Sequence, residues 1–388
     1  MKTFALVMAA ALTLGTAGVA DAHPRRAFDV QAHRGGLGLT VESTLASFGK
    51  ALDLGVTTLE LDIQITKDGR EVITHDRKTT AAKCRDTAPA TPGDPAYPYV
   101  GKYVKDLTFA QVRTLDCGSI RQPAHPGQTL SPGAKMPTLA ELFHLARERR
   151  AWGVKFNIET KVEAAAPHET APREQFVHRA VREILFSGFA HNVTVQSFDW
   201  GALMLLRKVA PWIPTVALTQ PEFLQVGQTG KSPWLGGLDI DDFGGSPVRA
   251  VKSFGASALS PVHGNPQGGK VGDPDYRPFT TKALVSEAHR AGIKVVPWTI
   301  DDPATMHKLI GDGVDGLITD YPDRLRTVAA DRGFKLPRAY PARQRNLALS
   351  SIREIFPDTP LARFGGVAGG KSGDKFVFPG PDPERLRP

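Results

Sequence analysis

Between Ala32 and Asp76 the chain carries His33, Arg34, Glu60, Asp62 and His75. Glu60 and Asp62 stand two apart in Leu59-Glu60-Leu61-Asp62-Ile63. On an extended strand both side chains therefore leave the same face, opposite Leu59, Leu61 and Ile63. Neighbouring carboxylates repel unless a cation lies between them or one keeps its proton. Glu159, in Asn157-Ile158-Glu159-Thr160-Lys161, offers a third carboxylate from what reads as an adjacent strand. Three carboxylates without a cysteine or histidine cluster suit a hard divalent ion, Ca²⁺ or Mg²⁺, better than zinc. The competing expectation is a polar rim whose carboxylates pair with Arg34 and Lys161. His33 and His75 are candidates for proton transfer, because an imidazole titrates near neutrality and one can accept a proton while the other donates one. Cleavage of a phosphodiester needs both transfers, together with positive charge on the phosphoryl oxygens. The other nine histidines lack this setting; His168, His178 and His289 read as solvated positions.

The elements that would hold these groups follow from periodicity. Val30–Ala32 reads as a strand ending on His33-Arg34-Gly35. Helical spacing runs from about Thr44 to Leu52 and stops at Gly55, and Ser43 is a candidate helix cap. Thr57–Thr66 alternates apolar and polar residues, and Asp68-Gly69 turns it back into Glu71–Asp76 as a hairpin. Further strands are predicted at 155–161, 192–198, 215–219, 256–261, 294–300 and 316–319, with helices between them. Repeated β-then-α units fit a single (β/α)₈ TIM barrel, with an open α/β sheet as the alternative. In such a barrel the C-terminal strand ends form the active site. That rule collects His33, Arg34, Glu60, Asp62, His75, Glu159, Lys161, Gln196-Ser197, Trp298 and Asp320-Tyr321.

Residues from about 78 to 136 are rich in Pro, Gly, Tyr and Thr and show little periodicity, so they read as a loop-rich insertion without a core of its own. The chain has 388 residues and a net charge of +8, which favours anionic partners. No run of Lys or Arg resembles a nucleic-acid-binding arm, so no nucleic-acid partner is expected. Lys2, the apolar run from Phe4 to about Leu14 and Ala20-Asp21-Ala22 read as a secretory signal peptide over 1–22, removed to leave His23 as the first residue. A retained anchor is the alternative; otherwise the protein is secreted or periplasmic and not inserted in a membrane. Cys84 and Cys117 then form a candidate disulfide, against two free buried thiols. The barrel is expected over 23–332, and 333–388 reads as a Pro/Arg/Gly-rich extension. Oligomeric state is left open.

His33-Arg34-Gly35, Glu42 with Thr44, Leu59-Glu60-Leu61-Asp62, Thr66-Lys67-Asp68-Gly69, Thr74-His75-Asp76 and Asn157-Ile158-Glu159-Thr160-Lys161 together resemble the glycerophosphodiester phosphodiesterase family. Gln196-Ser197-Phe198, Val296-Pro297-Trp298-Thr299 and Gly313 to Pro322 extend the similarity. The resemblance implies a TIM barrel that hydrolyses glycerophosphodiesters to sn-glycerol 3-phosphate and an alcohol. It implies His33 and His75 as the acid/base pair, Arg34, Lys161 and Trp298 as substrate contacts, and Glu60, Asp62 and Glu159 as ligands of a divalent metal. It also implies that the insertion could cap the site. The sequence departs from the family where Val41-Glu42-Ser43-Thr44 replaces the usual Pro-Glu-Asn-Thr, and in the segment after His75-Asp76. The alternatives are a phospholipase D of the sphingomyelinase D type acting on intact lipids, and a barrel that binds a phosphorylated ligand without turnover.

Overall fold

The computed structural model describes residues 27–342; the predicted signal peptide and residues 343–388 lie outside the described residues. Among the described residues eleven strands are present: β1 (Asp29–Ala32), β2 (Thr58–Ile65), β3 (Glu71–Ile73), β4 (Lys155–Thr160), β5 (Val193–Ser197), β6 (Thr215–Thr219), β7 (Ala258–Pro261), β8 (Gly264–Asn265), β9 (Arg277–Pro278), β10 (Lys294–Val295) and β11 (Gly316–Thr319). Eight of them run in the order β10-β7-β6-β5-β4-β2-β1-β11, every neighbouring pair parallel. The ends of this sheet meet. The Asp315 amide donates to the Val295 carbonyl at 2.9 Å, Ile318 to Pro297 at 3.0 Å and Ile300 to Ile318 at 3.0 Å. The result is a nearly closed barrel of eight parallel strands with helices between them, as the alternating pattern predicts. β3 pairs antiparallel with β2 as the expected hairpin, and β8 with β9 forms a small separate ribbon.

The alternation in β2 separates two environments. Leu59, Leu61, Ile63 and Ile65 join an apolar core with Phe48, Leu52, Leu142 and Phe143 from the helices at 45–54 and 139–148. Glu60, Asp62 and Gln64 are also buried, on the opposite face. There a layer of amides spans the strands: Asn157 Nδ2 donates to Gln31 Oε1 at 3.1 Å and to Gln196 Oε1 at 2.7 Å. Buried polar groups persist only when partnered in this way.

Three boundaries differ from the sequence expectation. The helix at 45–54 is capped by Thr44, not Ser43: Thr44 Oγ1 accepts the Ser47 amide at 3.0 Å while Ser47 Oγ accepts the Thr44 amide at 3.2 Å. Ser43 instead takes the left-handed conformation (φ 57°), and its buried hydroxyl finds no partner. The insertion does have a small core, built from Tyr99, Val104, Leu107, Val112, Leu115 and Met136 around Val72 and Cys84. Its apolar residues are irregularly spaced, so no period reveals them. Cys84 and Cys117 are joined as the predicted disulfide, with Cα atoms 4.1 Å apart. Finally, residues 333–342 pack on the barrel: Phe334 lies against Phe28 with ring centroids 5.0 Å apart, and the Tyr340 amide donates to the Leu52 carbonyl at 2.7 Å. No helix among the described residues is long and apolar enough to cross a membrane.

Candidate active site

A cleft of about 570 Å³ opens at the C-terminal strand ends, and His33, Arg34, Glu60, His75, Glu159, Lys161 and Trp298 all line it. Asp62 lies beneath this surface, 1% exposed, and touches it through Arg34 and Lys161. The sequence-predicted residues therefore converge. Of the other strand-end residues, Gln196 reaches the cleft and donates to Glu60 Oε1 at 2.7 Å. Ser197 turns away and donates to the Thr160 carbonyl at 2.9 Å. Trp298 is anchored by its indole N–H on the Ser260 carbonyl at 2.9 Å and meets Phe198 edge-on at 5.4 Å. Phe223 and Trp234, stacked 4.1 Å apart, extend this aromatic wall.

The first turn after β1 sets up the charged half. Arg34 adopts φ 51°, a conformation that L side chains rarely take. In return its amide donates to Glu60 Oε2 at 3.0 Å, and its guanidinium reaches Glu42 Oε2 at 3.0 Å. Arg34 Nε also lies 3.3 Å from Asp62 Oδ2, yet the two are misaligned and neither atom completes a hydrogen bond. Lys161 Nζ is 2.8 Å from Glu159 Oε1 and 3.8 Å from Asp62 Oδ1.

Glu60, Asp62 and Glu159 each present a carboxylate oxygen, and the three lie within 4.8 Å of one another. Arg34 and Lys161 bring two positive charges to these three acids, so pairing of the rim and repulsion within it coexist. Burial and the charge of Asp62 push the Glu60 carboxyl up to about 7. Burial pushes Glu159 up to about 8, with Lys161 opposing and Asp62 adding to the rise. Burial works against ionisation of Asp62 too, but His75, Arg34 and Lys161 hold its carboxyl below the usual carboxylate range. An orphaned buried carboxylate oxygen beside two proton-retaining acids fits a site for a hard divalent ion.

The two histidines sit in opposite electrostatic settings. His33 Nδ1 lies 2.5 Å from Asp320 Oδ1. Burial and Arg34 disfavour the imidazolium, but the charge and hydrogen bond of Asp320 outweigh them and hold the His33 pKa above its ordinary value. His75 Nδ1 lies 2.7 Å from Asp76 Oδ1. Burial, then Lys161 and Arg34, push His75 down to about 4 despite that contact. The two imidazoles are thus biased in opposite directions, His33 towards its protonated form and His75 towards its neutral form. In each, Nδ1 faces a carboxylate, which leaves Nε2 for other chemistry.

Several participants escaped the sequence. Asp320 is visible as a strand-end residue, but its pairing with His33 is not. Glu42 and Asp76 stand in the sequence motifs, but that Lys83 of the insertion pairs with both of them is not visible there. His125, also from the insertion, places Nε2 3.8 Å from Asp320 Oδ2 and Nδ1 3.1 Å from the Tyr321 hydroxyl. No motif marks it.

Comparison with known proteins agrees with the barrel fold. The model of the glycerophosphoryl diester phosphodiesterase family matches residues 33–324. A glycerophosphodiester phosphodiesterase of Caldanaerobacter subterraneus is 27% identical over 296 residues, covering 76% of this chain and 95% of that protein. A solved protein from Silicibacter pomeroyi, assigned to the same class of phosphodiesterases, is 29% identical with a TM-score of 0.65, covering 81% of this chain and 96% of its own. An Oleispira antarctica phosphodiesterase, solved in complex with the product sn-glycerol-3-phosphate, shares the fold at 20% identity and a TM-score of 0.55, covering 77% of this chain and 96% of its own.

Proposed function

The chain belongs to the glycerophosphoryl diester phosphodiesterase family and is a phosphoric diester hydrolase; from that premise we propose that it is an exported, divalent-metal-dependent enzyme working by two-histidine acid/base catalysis. Its substrates are small glycerophosphodiesters, and its products sn-glycerol 3-phosphate and an alcohol. The observation that carries this reading is the convergence of His33 and His75, each with Nδ1 against a carboxylate, on one cleft beside three convergent carboxylates. A product complex in the Oleispira relative supports the substrate class.

In this scheme His75, uncharged at neutral pH, takes the proton of the attacking hydroxyl through Nε2, and Asp76 holds its Nδ1–H. His33, whose protonated form Asp320 favours, gives its proton to the departing alcohol oxygen as the phosphorus–oxygen bond breaks. The attacking hydroxyl is that of water or of the substrate's own glycerol. Arg34 and Lys161 steer and neutralise the phosphoryl oxygens, and Trp298 with Phe198 forms an apolar wall for the organic part of the substrate. Glu60, Asp62 and Glu159 would hold Ca²⁺ or Mg²⁺, which supplies Lewis-acid polarisation of the phosphoryl group.

Export is supported by the order Lys2, apolar run, Ala20-Asp21-Ala22, and by a disulfide suited to an oxidising compartment. The intact-phospholipid alternative is not favoured by the comparisons. The test is release of glycerol 3-phosphate from glycerophosphocholine, with phosphatidylcholine vesicles run in parallel. Release that stops in EDTA and returns with Ca²⁺ or Mg²⁺ is expected. Full activity in chelator would remove the metal, and turnover of vesicles alone would replace the substrate class.

A further inference from the structure

Behind the cleft, one lysine of the insertion touches the partners of two site residues at once. Lys83 Nζ lies 2.9 Å from Asp76 Oδ2 and 2.7 Å from Glu42 Oε1. The second oxygen of Asp76 contacts His75 Nδ1 at 2.7 Å, and the second oxygen of Glu42 accepts from Arg34 Nη1 at 3.0 Å. A continuous chain His75–Asp76–Lys83–Glu42–Arg34 therefore joins the second histidine to the arginine after the first. Lys83 does not line the cleft itself, so whatever it does for the reaction it does through others. Its backbone is fixed on both sides: the Lys83 and Cys84 amides donate to the Thr80 carbonyl at 3.1 and 2.9 Å, and Cys84 is bound to Cys117.

We propose that Lys83 is a positioning residue for the hydrolysis, which makes the disulfide-stapled insertion a working part of the active site. For its kinetic consequence this rests on the hydrolase reading above. Asp76 is about a third exposed, so its carboxylate is free to rotate towards water once one oxygen loses its partner. With Lys83 on Oδ2, Oδ1 is kept on His75 Nδ1, and Nε2 is left facing the cleft. Glu42 is 8% exposed and cannot turn to solvent. Without Lys83, Arg34 is the one cation left on Glu42, beside the neutral Gln122 side chain, and the guanidinium is drawn away from Asp62 and the phosphate position. One ammonium thus sets the orientation of a proton acceptor and of an anion contact together, and from Asp76 to Arg34 the charges along the chain alternate.

The test compares the full chain carrying Lys83→Gln, Lys83→Arg, Asp76→Asn, and Lys83→Gln with Asp76→Asn, using glycerophosphocholine. Orienting partners of this kind typically change activity by 10–100-fold, so Lys83→Gln is expected to lower kcat by roughly 30-fold, with KM rising by less than the roughly tenfold expected where Arg34 itself is replaced. Lys83→Arg keeps the charge and the reach, and returns kcat to within about threefold of native. The double variant is slower than Asp76→Asn only by the share that runs through Glu42 and Arg34, and by much less than the product of the two single losses, because the larger part of both acts through His75. A readout independent of turnover is the long-range ¹H–¹⁵N spectrum of histidine-labelled protein, with His75 assigned by its loss in His75→Gln. Native protein and Lys83→Arg show the proton on Nδ1; Lys83→Gln shows a mixture of tautomers. Lys83→Gln with kcat within about twofold of native, or with an unchanged His75 spectrum, overturns the inference. Equal losses in Lys83→Gln and Lys83→Arg that follow a common fall in Tm also overturn it, and leave a structural brace only. Should the native chain release no glycerol 3-phosphate while the His75 spectra change as stated, the hydrolase reading fails and the positioning role stands.

Discussion

Raising the pH in the presence of chelator should destabilise this protein, and the carboxylate cluster sets the size of the effect. Glu159 titrates at about 8 and Glu60 at about 7 in the folded protein, against 4.5 ordinarily. Between those values the folded state holds protons that the unfolded chain has released. Folding stability must therefore fall as pH rises through that window. A shift from 4.5 to about 8 is 8 − 4.5 = 3.5 units for Glu159, which corresponds to about 4–5 kcal/mol once the group is ionised. Glu60 and Glu159 share the repulsion of Asp62, so this figure describes the cluster as a whole and is not doubled. For a barrel of this size about 4 kcal/mol translates into roughly 6 °C in Tm.

The assay is calorimetric or circular-dichroism melting in EDTA from about pH 5.5 to about pH 8.5, on native protein and Glu159→Gln. Glu71 and Asp301, both raised to about 7 chiefly by burial, titrate in the same window, so both proteins lose some stability. Glu42 and Asp76 titrate below it and add no slope there. The native protein should fall further than Glu159→Gln by several degrees, and Ca²⁺ or Mg²⁺ should raise Tm most at the alkaline end in native protein and little in the variant. Parallel curves for the two proteins, with no metal effect at high pH, would refute the idea that Glu60, Asp62 and Glu159 form one crowded acidic site.

Asp320→Asn removes the charge that keeps His33 protonated; kcat should drop by roughly 10²-fold or more, and the alkaline limb of its pH profile should move to lower pH. An unmoved limb would exclude His33 as the acid. Arg34→Lys keeps one charge but loses the fork that reaches Glu42 and Asp62, so KM should rise by about tenfold in steady-state kinetics, whereas an unchanged KM would separate Arg34 from the substrate. Mass spectrometry of protein recovered outside the cytoplasm should find a chain beginning at His23, and a retained Met1 would contradict export with cleavage.

Much of the barrel was legible because each unit repeats a simple rule. β2 alternates Leu59, Leu61, Ile63 and Ile65 with Glu60, Asp62 and Gln64, and that period alone places two carboxylates on the inner face. Glu159 could be added because β4 lies beside β2, with Asp62 in register with Glu159. What stayed hidden depends on contacts between distant segments. Asp320 meets His33 only because β11 closes against β1. Lys83 and His125 reach the site through an insertion whose fold is dictated by a disulfide and by scattered apolar residues rather than by a period. Helix capping by Thr44 instead of Ser43 turned on one backbone angle, φ 57° at Ser43, which residue type alone does not specify.

The central claim is that His33 and His75 carry the two proton transfers of phosphodiester cleavage. Glycerol 3-phosphate release from glycerophosphocholine, measured with Ca²⁺ or Mg²⁺ present for native protein, His33→Ala and His75→Ala of matched Tm, tests it most directly. The account predicts losses of about 10²–10⁴-fold in kcat for each variant. Activity within about threefold of native in either one would contradict it.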